Sequence, residues 1–207
     1  MIAVIDYGVG NLFSLVSSLR CIGQEVAVTG DPDMLRSADR LILPGVGAFG
    51  DAAVRLRQTG LDQAVTEEAR RGKPVMGICL GMQLLLDRSF EFGEHRGLGL
   101  IPGDVRPMSE TVDPMLKLPQ IGWNALTFTK PSALFQYARE GDCVYFVHSY
   151  QGTGCDAYTL AMTEYSVPIT AAVGRGNVVG CQFHPEKSGR VGLGILKAFA
   201  ETEEELC

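Results

Sequence analysis

The 207-residue sequence lacks several features that mark whole classes of protein. No apolar run approaches the roughly 20 residues that cross a bilayer, and no run of Lys and Arg suggests a nucleic-acid surface. The formal net charge of −6 also disfavours a nucleic-acid partner. There is no internal repeat and no low-complexity segment. We therefore expect a soluble globular protein that binds neither membranes nor nucleic acids.

The six cysteines include no CxxC pair, and the first residues, Met1 to Asp6, lack the basic segment of a secretory leader. Free thiols are typical of reducing compartments, because disulfides persist mainly outside the cytosol. The sequence therefore predicts a cytoplasmic protein. We expect no metal site and no cofactor.

Apolar runs and helical patterns alternate through the first half of the chain. With 46% hydrophobic and 20% charged residues, this length suits one well-buried core. Strict alternation of strand and helix implies right-handed crossovers and a parallel sheet covered on both faces. We predict a single α/β domain over residues 1–207. Its first strands are predicted at Met1 to Ile5, Glu25 to Val28, Leu41 to Leu43 and Val75 to Ile78, and its first helices at Leu12 to Ile22 and Leu61 to Arg71.

The second half is richer in strands, with Gly, Pro and Asp between them. Such a pattern is typical of antiparallel strands added at one edge of a mainly parallel sheet. A final helix is predicted from Ser188 to Ala200, and Glu203, Glu204 and Glu205 should fray because their charges oppose the helix dipole. The predicted strands are Val144 to Val147, Tyr158 to Met162, Ile169 to Val173 and Val178 to Phe183.

Cys79 lies where an apolar strand, Val75 to Ile78, changes into a helical pattern that begins at Leu80. Glycines at 77 and 81 remove the side chains that would collide at such a bend. Unpaired N–H groups and the helix dipole favour the thiolate at this position. A cysteine in an apolar run is more often a core residue. The flanking glycines favour a nucleophile elbow here, whereas Cys21, Cys143, Cys155, Cys181 and Cys207 are interpreted as core residues.

A thiol nucleophile needs a base, and the chain has three histidines, His95, His148 and His184. His184 follows an apolar strand, and Pro185 biases it toward an extended conformation. Side chains at i and i+2 of an extended segment project to the same side. Glu186 is thereby predicted to orient the imidazole, which completes a nucleophile, a base and a carboxylate. The alternative is a partly buried structural histidine beside an incidental surface glutamate.

The turn Pro44–Gly47 is a candidate for binding an oxyanion. Its glycines allow backbone N–H groups, including those of Val46 and Gly47, to approach a substrate closely. With the amide of Leu80 they could stabilise a tetrahedral oxyanion, each donor being worth about 3 kcal/mol. An ordinary strand-ending turn is the alternative. Loops at the carboxyl ends of parallel strands meet at one edge of a sheet, so this turn, Cys79 and His184 are expected to share one crevice.

Two motifs in the chain resemble the class I (triad-type) glutamine amidotransferases, and further segments are similar to the glutaminase subunits of imidazole glycerol phosphate synthase. The two motifs are Gly77-Ile78-Cys79-Leu80-Gly81-Met82-Gln83 and His184-Pro185-Glu186. The further segments are Asp6 to Asn11, Pro44 to Gly50, Pro119 to Asn124 and Tyr145 to Tyr150. This similarity covers essentially the whole chain.

The resemblance implies that Cys79 attacks the carboxamide of glutamine while His184 moves the protons and Glu186 orients the imidazole. Water would then hydrolyse the γ-glutamyl thioester. The oxyanion would be held by backbone amides of Leu80 and of the segment that contains Val46 and Gly47. The positions that the resemblance assigns to glutamine binding are Gln83, Ser149, Tyr150 and Asn11. Each of these four could instead be an ordinary core or turn residue.

The resemblance also implies a partner, a (β/α)8-barrel cyclase that receives the ammonia. That cyclase makes imidazole glycerol phosphate and an aminoimidazole carboxamide ribotide in histidine biosynthesis. Trp123, Tyr145 and Lys187 are the candidates for the interface of the heterodimer, although by composition alone they could be core or surface residues. Gln120 departs from the histidine that the family commonly carries at this position.

Two other classes of function remain open from the sequence alone. A free-standing hydrolase on the same fold would work without a partner. A binding or regulatory subunit would have lost a member of the triad, and none is missing here. Dependence of glutamate release on a cyclase separates these possibilities.

Overall fold

The computed structural model describes residues 1–202 and residue 206, and its centre is an eight-stranded sheet. Glu203, Glu204 and Glu205, which the sequence predicts to fray, lie outside the described residues. The strands of the large sheet, numbered along the chain, are β1 (Ile2–Ile5), β2 (Val26–Thr29), β3 (Arg40–Leu43), β4 (Val75–Ile78), β9 (Thr127–Phe128), β12 (Thr159–Glu164), β13 (Pro168–Arg175) and β14 (Val178–Cys181).

Five neighbouring strands of this sheet are parallel, in the order β2-β1-β3-β4-β14. β13, β12 and β9 follow as antiparallel strands at one edge. The predicted fold class is therefore confirmed. The placement of the segment Val178 to Phe183 was wrong: predicted as an antiparallel edge strand, it contains β14 (Val178–Cys181), which lies parallel beside β4. Its run of buried residues suits a central parallel strand.

Helices cover both faces of the sheet because successive strand residues point to opposite sides. Ala3 and Ile5 join one apolar cluster, whereas Ile2 and Val4 join the other. The second cluster includes buried residues of α1 and α6, and the first includes those of the other four helices. The helices are α1 (Leu12–Cys21), α2 (Pro32–Ser37), α3 (Phe49–Thr59), α4 (Leu61–Arg70), α5 (Leu80–Leu85) and α6 (Gly189–Glu201).

Two smaller sheets stand apart from the large one. β8 (Gln120–Ala125) pairs only with β10 (Cys143–His148), and the remaining four strands form the second small sheet in the order β11-β7-β5-β6. The prediction that Val144 to Val147 belongs to the main sheet was therefore wrong, because this segment pairs with β8 and not with a strand of the large sheet. The four strands are β5 (Arg88–Ser89), β6 (His95–Arg96), β7 (Asp104–Pro107) and β11 (Tyr150–Thr153).

The predicted core positions of the cysteines are only partly correct. Cys155 and Cys181 are buried free thiols, but Cys21 and Cys143 are exposed, and Cys207 lies outside the described residues. Among the residues that are described, no helix is both long and apolar enough to span a membrane.

Candidate active site

The bend between β4 and α5 holds Cys79 in a backbone conformation that few residues adopt, with φ of +55°. Glycine is required on both sides of it. A Cβ on Gly77 would lie 2.6 Å from the backbone of Gly81, and one on Gly81 would lie 1.8 Å from the carbonyl oxygen of Leu43. The predicted elbow is therefore present, and the close approach of β3, β4 and α5 explains its glycines.

Backbone hydrogen bonds hold the two ends of this turn. The Cys79 N–H donates to the carbonyl of Cys181 on the neighbouring strand β14 at 2.8 Å, and the Cys79 carbonyl accepts from the N–H of Gln83 at 3.2 Å. The N–H groups of the first turn of α5 have no acceptor within the helix. Leu80, the first residue of that turn, lines the same cavity as the thiol.

His184 Nδ1–H donates to Glu186 Oε1 at 2.8 Å, and both side chains are almost fully buried. The contact agrees with the prediction, but its local cause differs. Only His184 is extended, whereas Pro185–Lys187 forms a turn of 3-10 helix that brings the carboxylate back to the ring. The second ring nitrogen, Nε2, is buried and faces Cys79 in their shared cavity, where the two side chains interact.

The turn that carries His184 is fastened to strand β10. The His184 N–H donates to the carbonyl of Tyr145 at 2.9 Å, and the Tyr145 N–H donates back to Ser188 Oγ at 2.9 Å. The Ser188 hydroxyl in turn donates to the His184 carbonyl at 2.7 Å. The position of the imidazole therefore depends on a strand outside the main sheet.

The pKa of His184 is raised to about 9 by its surroundings. Burial alone lowers it, because a charged imidazole loses its hydration. Hydrogen bonding to Cys79 and Glu186, followed by their negative charges, outweighs that penalty. His184 is accordingly protonated at neutral pH, beside the sulfur of Cys79.

His148 behaves in the opposite way, although it faces the same cavity. Its pKa is lowered to about 4, mainly by burial, because the hydrogen bond to the Tyr150 carbonyl raises it only in part and the charge of His184 lowers it. His148 Nδ1–H donates to that carbonyl at 2.8 Å. His148 is therefore neutral at physiological pH, which leaves His184 as the imidazole that can exchange a proton with Cys79.

A cavity of about 470 Å³ opens over the thiol. Leaving Asn11 aside, the sequence assigns nine residues to catalysis, to the oxyanion or to glutamine binding. Eight of the nine line this cavity: Val46, Gly47, Cys79, Leu80, Gln83, Ser149, Tyr150 and His184. The ninth, Glu186, contacts the cavity through His184. Gly47 has φ of +92°, which favours glycine at the predicted oxyanion turn.

Asn11 lies outside the set of described residues that line this cavity. It precedes α1, but its side chain does not cap the helix; it donates to Ser14 Oγ at 3.1 Å on an exposed surface. The predicted role of Asn11 in glutamine binding thus stays a prediction. Its neighbour Gly10 faces Pro44, which keeps the two loops adjacent.

Several residues around the cavity were not identified from the sequence. Glu91 lines it and accepts from the N–H of Phe49 at 2.6 Å. Gln182 donates from Nε2 to Cys79 Sγ at 3.6 Å. The Tyr7 hydroxyl donates to the Pro44 carbonyl at 2.8 Å, and burial together with the charge of Cys79 raises the pKa of that phenol. Only Gln182 had a signal, because it stands two residues before His184.

The three predicted interface residues form one connected group beside the site. The Trp123 and Tyr145 rings meet edge to face with centroids 4.9 Å apart, and Lys187 Nζ lies 5.5 Å from the centre of the Tyr145 ring. Trp123 is 63% exposed. Gln120 is fully buried and donates to Asn124 Oδ1 at 3.0 Å.

Within the described part of the chain, no cluster of three or more His, Cys, Asp or Glu residues is arranged to bind a metal ion. The chemistry that the described geometry supports is that of a buried thiol, an imidazolium and a carboxylate. Such a set attacks a carbonyl carbon and forms a thioester.

Comparison with known proteins agrees with this geometry. The family model for the class I glutamine amidotransferases matches residues 3–201. The chain is 50% identical over 207 residues to the imidazole glycerol phosphate synthase subunit HisH of Geobacillus sp. (strain WCH70), covering 99% of this chain and 98% of that protein. It is 47% identical over 201 residues to the HisH subunit of Lactococcus lactis subsp. lactis (strain IL1403), covering 97% and 98%.

Solved structures share the fold at much lower sequence identity. A glutamine amidotransferase crystal structure superposes with a TM-score of 0.75 at 18% identity, covering 97% of this chain and all of that one. The PurLQS structure from Thermotoga maritima gives a TM-score of 0.76 at 23% identity, covering 96% of each chain. With the full-length similarity to the HisH subunits, these findings show that the chain belongs to the class I glutamine amidotransferases and, within them, to the HisH family of imidazole glycerol phosphate synthase subunits.

Proposed function

We propose that residues 1–207 form one glutaminase domain that hydrolyses glutamine to glutamate and ammonia and supplies the ammonia for imidazole glycerol phosphate synthesis in the histidine pathway. The observation that carries this proposal is the cavity in which Cys79 and His184 meet, with Glu186 hydrogen-bonded behind the imidazole. Membership of the HisH family identifies the pathway.

In the proposed reaction the Cys79 thiolate attacks the side-chain carbonyl carbon of glutamine. His184, protonated because its pKa is raised to about 9, gives its proton to the departing nitrogen, so that the C–N bond breaks and ammonia leaves. Water then adds to the thioester with His184 as base, the C–S bond breaks and glutamate is released. Glu186 keeps Nδ1 protonated and Nε2 directed at the reacting atoms.

The oxyanion and the substrate have separate partners in this proposal. The amide of Leu80 and those of Val46 and Gly47 would stabilise the tetrahedral oxyanion. Gln83, Ser149 and Tyr150 would hold the amino-acid end of glutamine. Glu91 brings a carboxylate into the same cavity, and opposite charges attract strongly in partly buried sites. We assign Glu91 to the positively charged α-amino group.

The partner is proposed to be a (β/α)8-barrel cyclase that forms a heterodimer with this chain. It would use the ammonia with a phosphoribosyl-formimino carboxamide ribonucleotide to make imidazole glycerol phosphate and aminoimidazole carboxamide ribotide. The group formed by Trp123, Tyr145 and Lys187 is the proposed contact surface, since it lies outside the cavity and joins the His184 turn through the Tyr145 backbone.

We also propose a cytoplasmic location. It is supported by the free thiols of five cysteines, Cys21, Cys79, Cys143, Cys155 and Cys181.

Glutamate release, measured with and without the cyclase and its nucleotide ligand, tests this proposal. We expect feeble release from the isolated chain and a large increase when both are added. Full activity without the cyclase would favour a free-standing hydrolase on the same fold. No activity in either case would favour a binding or regulatory subunit.

A further inference from the structure

Two buried glutamines connect the far side of the cavity to the sulfur of Cys79. Gln83 Nε2 donates to the Tyr150 carbonyl at 3.1 Å and to Gln182 Oε1 at 3.0 Å. Gln182 Nε2 donates to Cys79 Sγ at 3.6 Å. Gln182 is fully buried, so no solvent competes for its amide.

The direction of this chain follows from its first acceptor. A backbone carbonyl can only accept, so the Gln83 atom that faces Tyr150 must be the amide nitrogen. The same nitrogen faces Gln182, which must therefore present its oxygen there. The Gln182 NH2 group is consequently left facing the sulfur as a donor, and it favours the thiolate because a donor binds an anion more strongly than a neutral thiol.

We propose that Gln182 is a positioning residue for the reaction, which holds the Cys79 sulfur as a thiolate and is itself anchored by Gln83. The inference rests on the proposed function, in which Cys79 is the nucleophile and Gln83 contacts the substrate. If Gln83 moves when substrate binds, one hydrogen bond passes the movement to Gln182 and a second passes it to the Cys79 sulfur. The site thereby couples occupancy of the amino-acid pocket to the state of the nucleophile.

The test is the pH profile of iodoacetamide alkylation of the full-length chain, since the thiolate is the reacting form. Mass spectrometry of the Cys79 peptide separates this thiol from the exposed Cys21 and Cys143. Gln182→Met keeps the length of the side chain and removes the donor. We expect the half-maximal pH of Cys79 alkylation to rise by about one unit, as a lost hydrogen bond to a charged group predicts.

Gln151→Met is the matched control. Gln151 is also buried, and its amide donates to Thr111 Oγ1 at 2.8 Å beyond the described lining of the active-site cavity. Gln151→Met should disturb packing and remove a buried hydrogen bond as Gln182→Met does, but it should leave the pH profile of Cys79 alkylation unchanged. Circular dichroism and thermal unfolding establish that each variant is folded.

Gln83→Met supplies the second arm, because it removes the anchor of Gln182 and leaves the donor in place. We expect a smaller upward shift, and the double variant should shift no further than Gln182→Met alone, as expected for residues in one network. If Gln182→Met does not fold, an unshifted profile in Gln83→Met overturns the inference. An unshifted profile in folded Gln182→Met also overturns it.

The outcome is distinguishable from failure of the proposed function. The alkylation profile measures the protonation of the Cys79 sulfur, and this measurement does not require that glutamine is hydrolysed. Normal glutamate release by the wild-type chain with the cyclase, together with an unshifted profile in folded Gln182→Met, would defeat only the role of Gln182. Absence of glutamate release from that wild-type complex would defeat the proposed function itself.

Discussion

Two imidazoles in one cavity have opposite protonation states because different groups surround them. His184 is beside a thiol and a carboxylate, and its pKa is raised to about 9. Burial is the largest influence on His148, and together with the charge of His184 it lowers the pKa to about 4. Since the unfolded chain binds a proton near the ordinary value of 6.5, His148 contributes to loss of stability as the pH falls from 6.5 toward 4.

The pKa values of these imidazoles can be checked by NMR titration of the ring protons. We expect midpoints near 9 for His184 and near 4 for His148 in the wild-type chain. Cys79→Ala should lower the His184 midpoint, because the sulfur contributes both a hydrogen bond and a charge that raise it. Glutaminase activity should fall as the pH rises through 9, because His184 then loses the proton that it gives to the departing nitrogen of glutamine. An unchanged His184 midpoint in Cys79→Ala would contradict the influence of the sulfur on the imidazole.

Which single residues could be predicted from the sequence depends on how local their cause is. Cys79 was predictable because Gly77 and Gly81 flank it at a visible change of pattern. Glu186 was predictable because it is two residues from His184, although the turn that positions it was not. Glu91 was not predictable, since it follows the short strand β5 and reaches the cavity through the N-terminus of α3.

Among the elements, the elbow depends on three segments that approach within contact distance of one another. β3 passes so close to α5 that the Leu43 carbonyl occupies the space beside Gly81. The second half of the site depends on β10, whose pairing with β8 joins residues 18 to 28 positions apart. A sequence pattern gives the period of a strand but not its partner, which explains why Val144 to Val147 was assigned to the wrong sheet.

Gly81→Ala tests the close approach at the elbow. The added methyl group would lie 1.8 Å from the Leu43 oxygen, and backbone cannot yield as a flexible side chain can. We expect a loss of several kcal/mol in the free energy of unfolding, as for other overpacked or strained sites. Urea denaturation followed by circular dichroism gives the measurement.

Gly141→Ala is the control for that substitution. Gly141 has φ of +85° but no atom within 4 Å of an added Cβ, so only backbone strain of about 1 to 2 kcal/mol is expected. If the two variants lose equal stability, the contact between β3 and α5 is not what requires glycine at 81.

In the whole molecule, the proposed contact surface is connected by a backbone hydrogen bond to the turn that carries His184. Trp123 and Tyr145 are paired across β8 and β10, and the Tyr145 backbone holds the turn of His184. The fold class was predictable because alternation of strand and helix dictates a parallel sheet. The two small sheets were not, because the pattern of β10 does not reveal its partner β8, and β5 and β6 are only two residues long.

Trp123→Ala tests the proposed contact surface. The side chain is 63% exposed, so its removal should change the stability of the isolated chain little. Exposed aromatic residues that become buried on binding often dominate affinity, and we expect the dissociation constant for the cyclase to rise about tenfold or more. Calorimetric titration of the chain with the cyclase gives this value.

Tyr137→Ala is the matched control, because Tyr137 is also an exposed aromatic residue but its hydroxyl bonds Glu201 near the end of α6. The affinity of the Tyr137→Ala chain for the cyclase should equal that of the wild-type chain. Equal affinities for all three proteins would remove Trp123 from the contact surface.

The most direct test of the account compares two nitrogen sources in the complex of Cys79→Ala with the cyclase. Synthesis of imidazole glycerol phosphate is measured once with glutamine and once with an added ammonium salt. We predict that glutamine-dependent synthesis is abolished while ammonium-dependent synthesis stays at the wild-type rate. Glutamine-dependent synthesis near the wild-type rate, or equal loss with both sources, would contradict the assignment of Cys79 as the nucleophile.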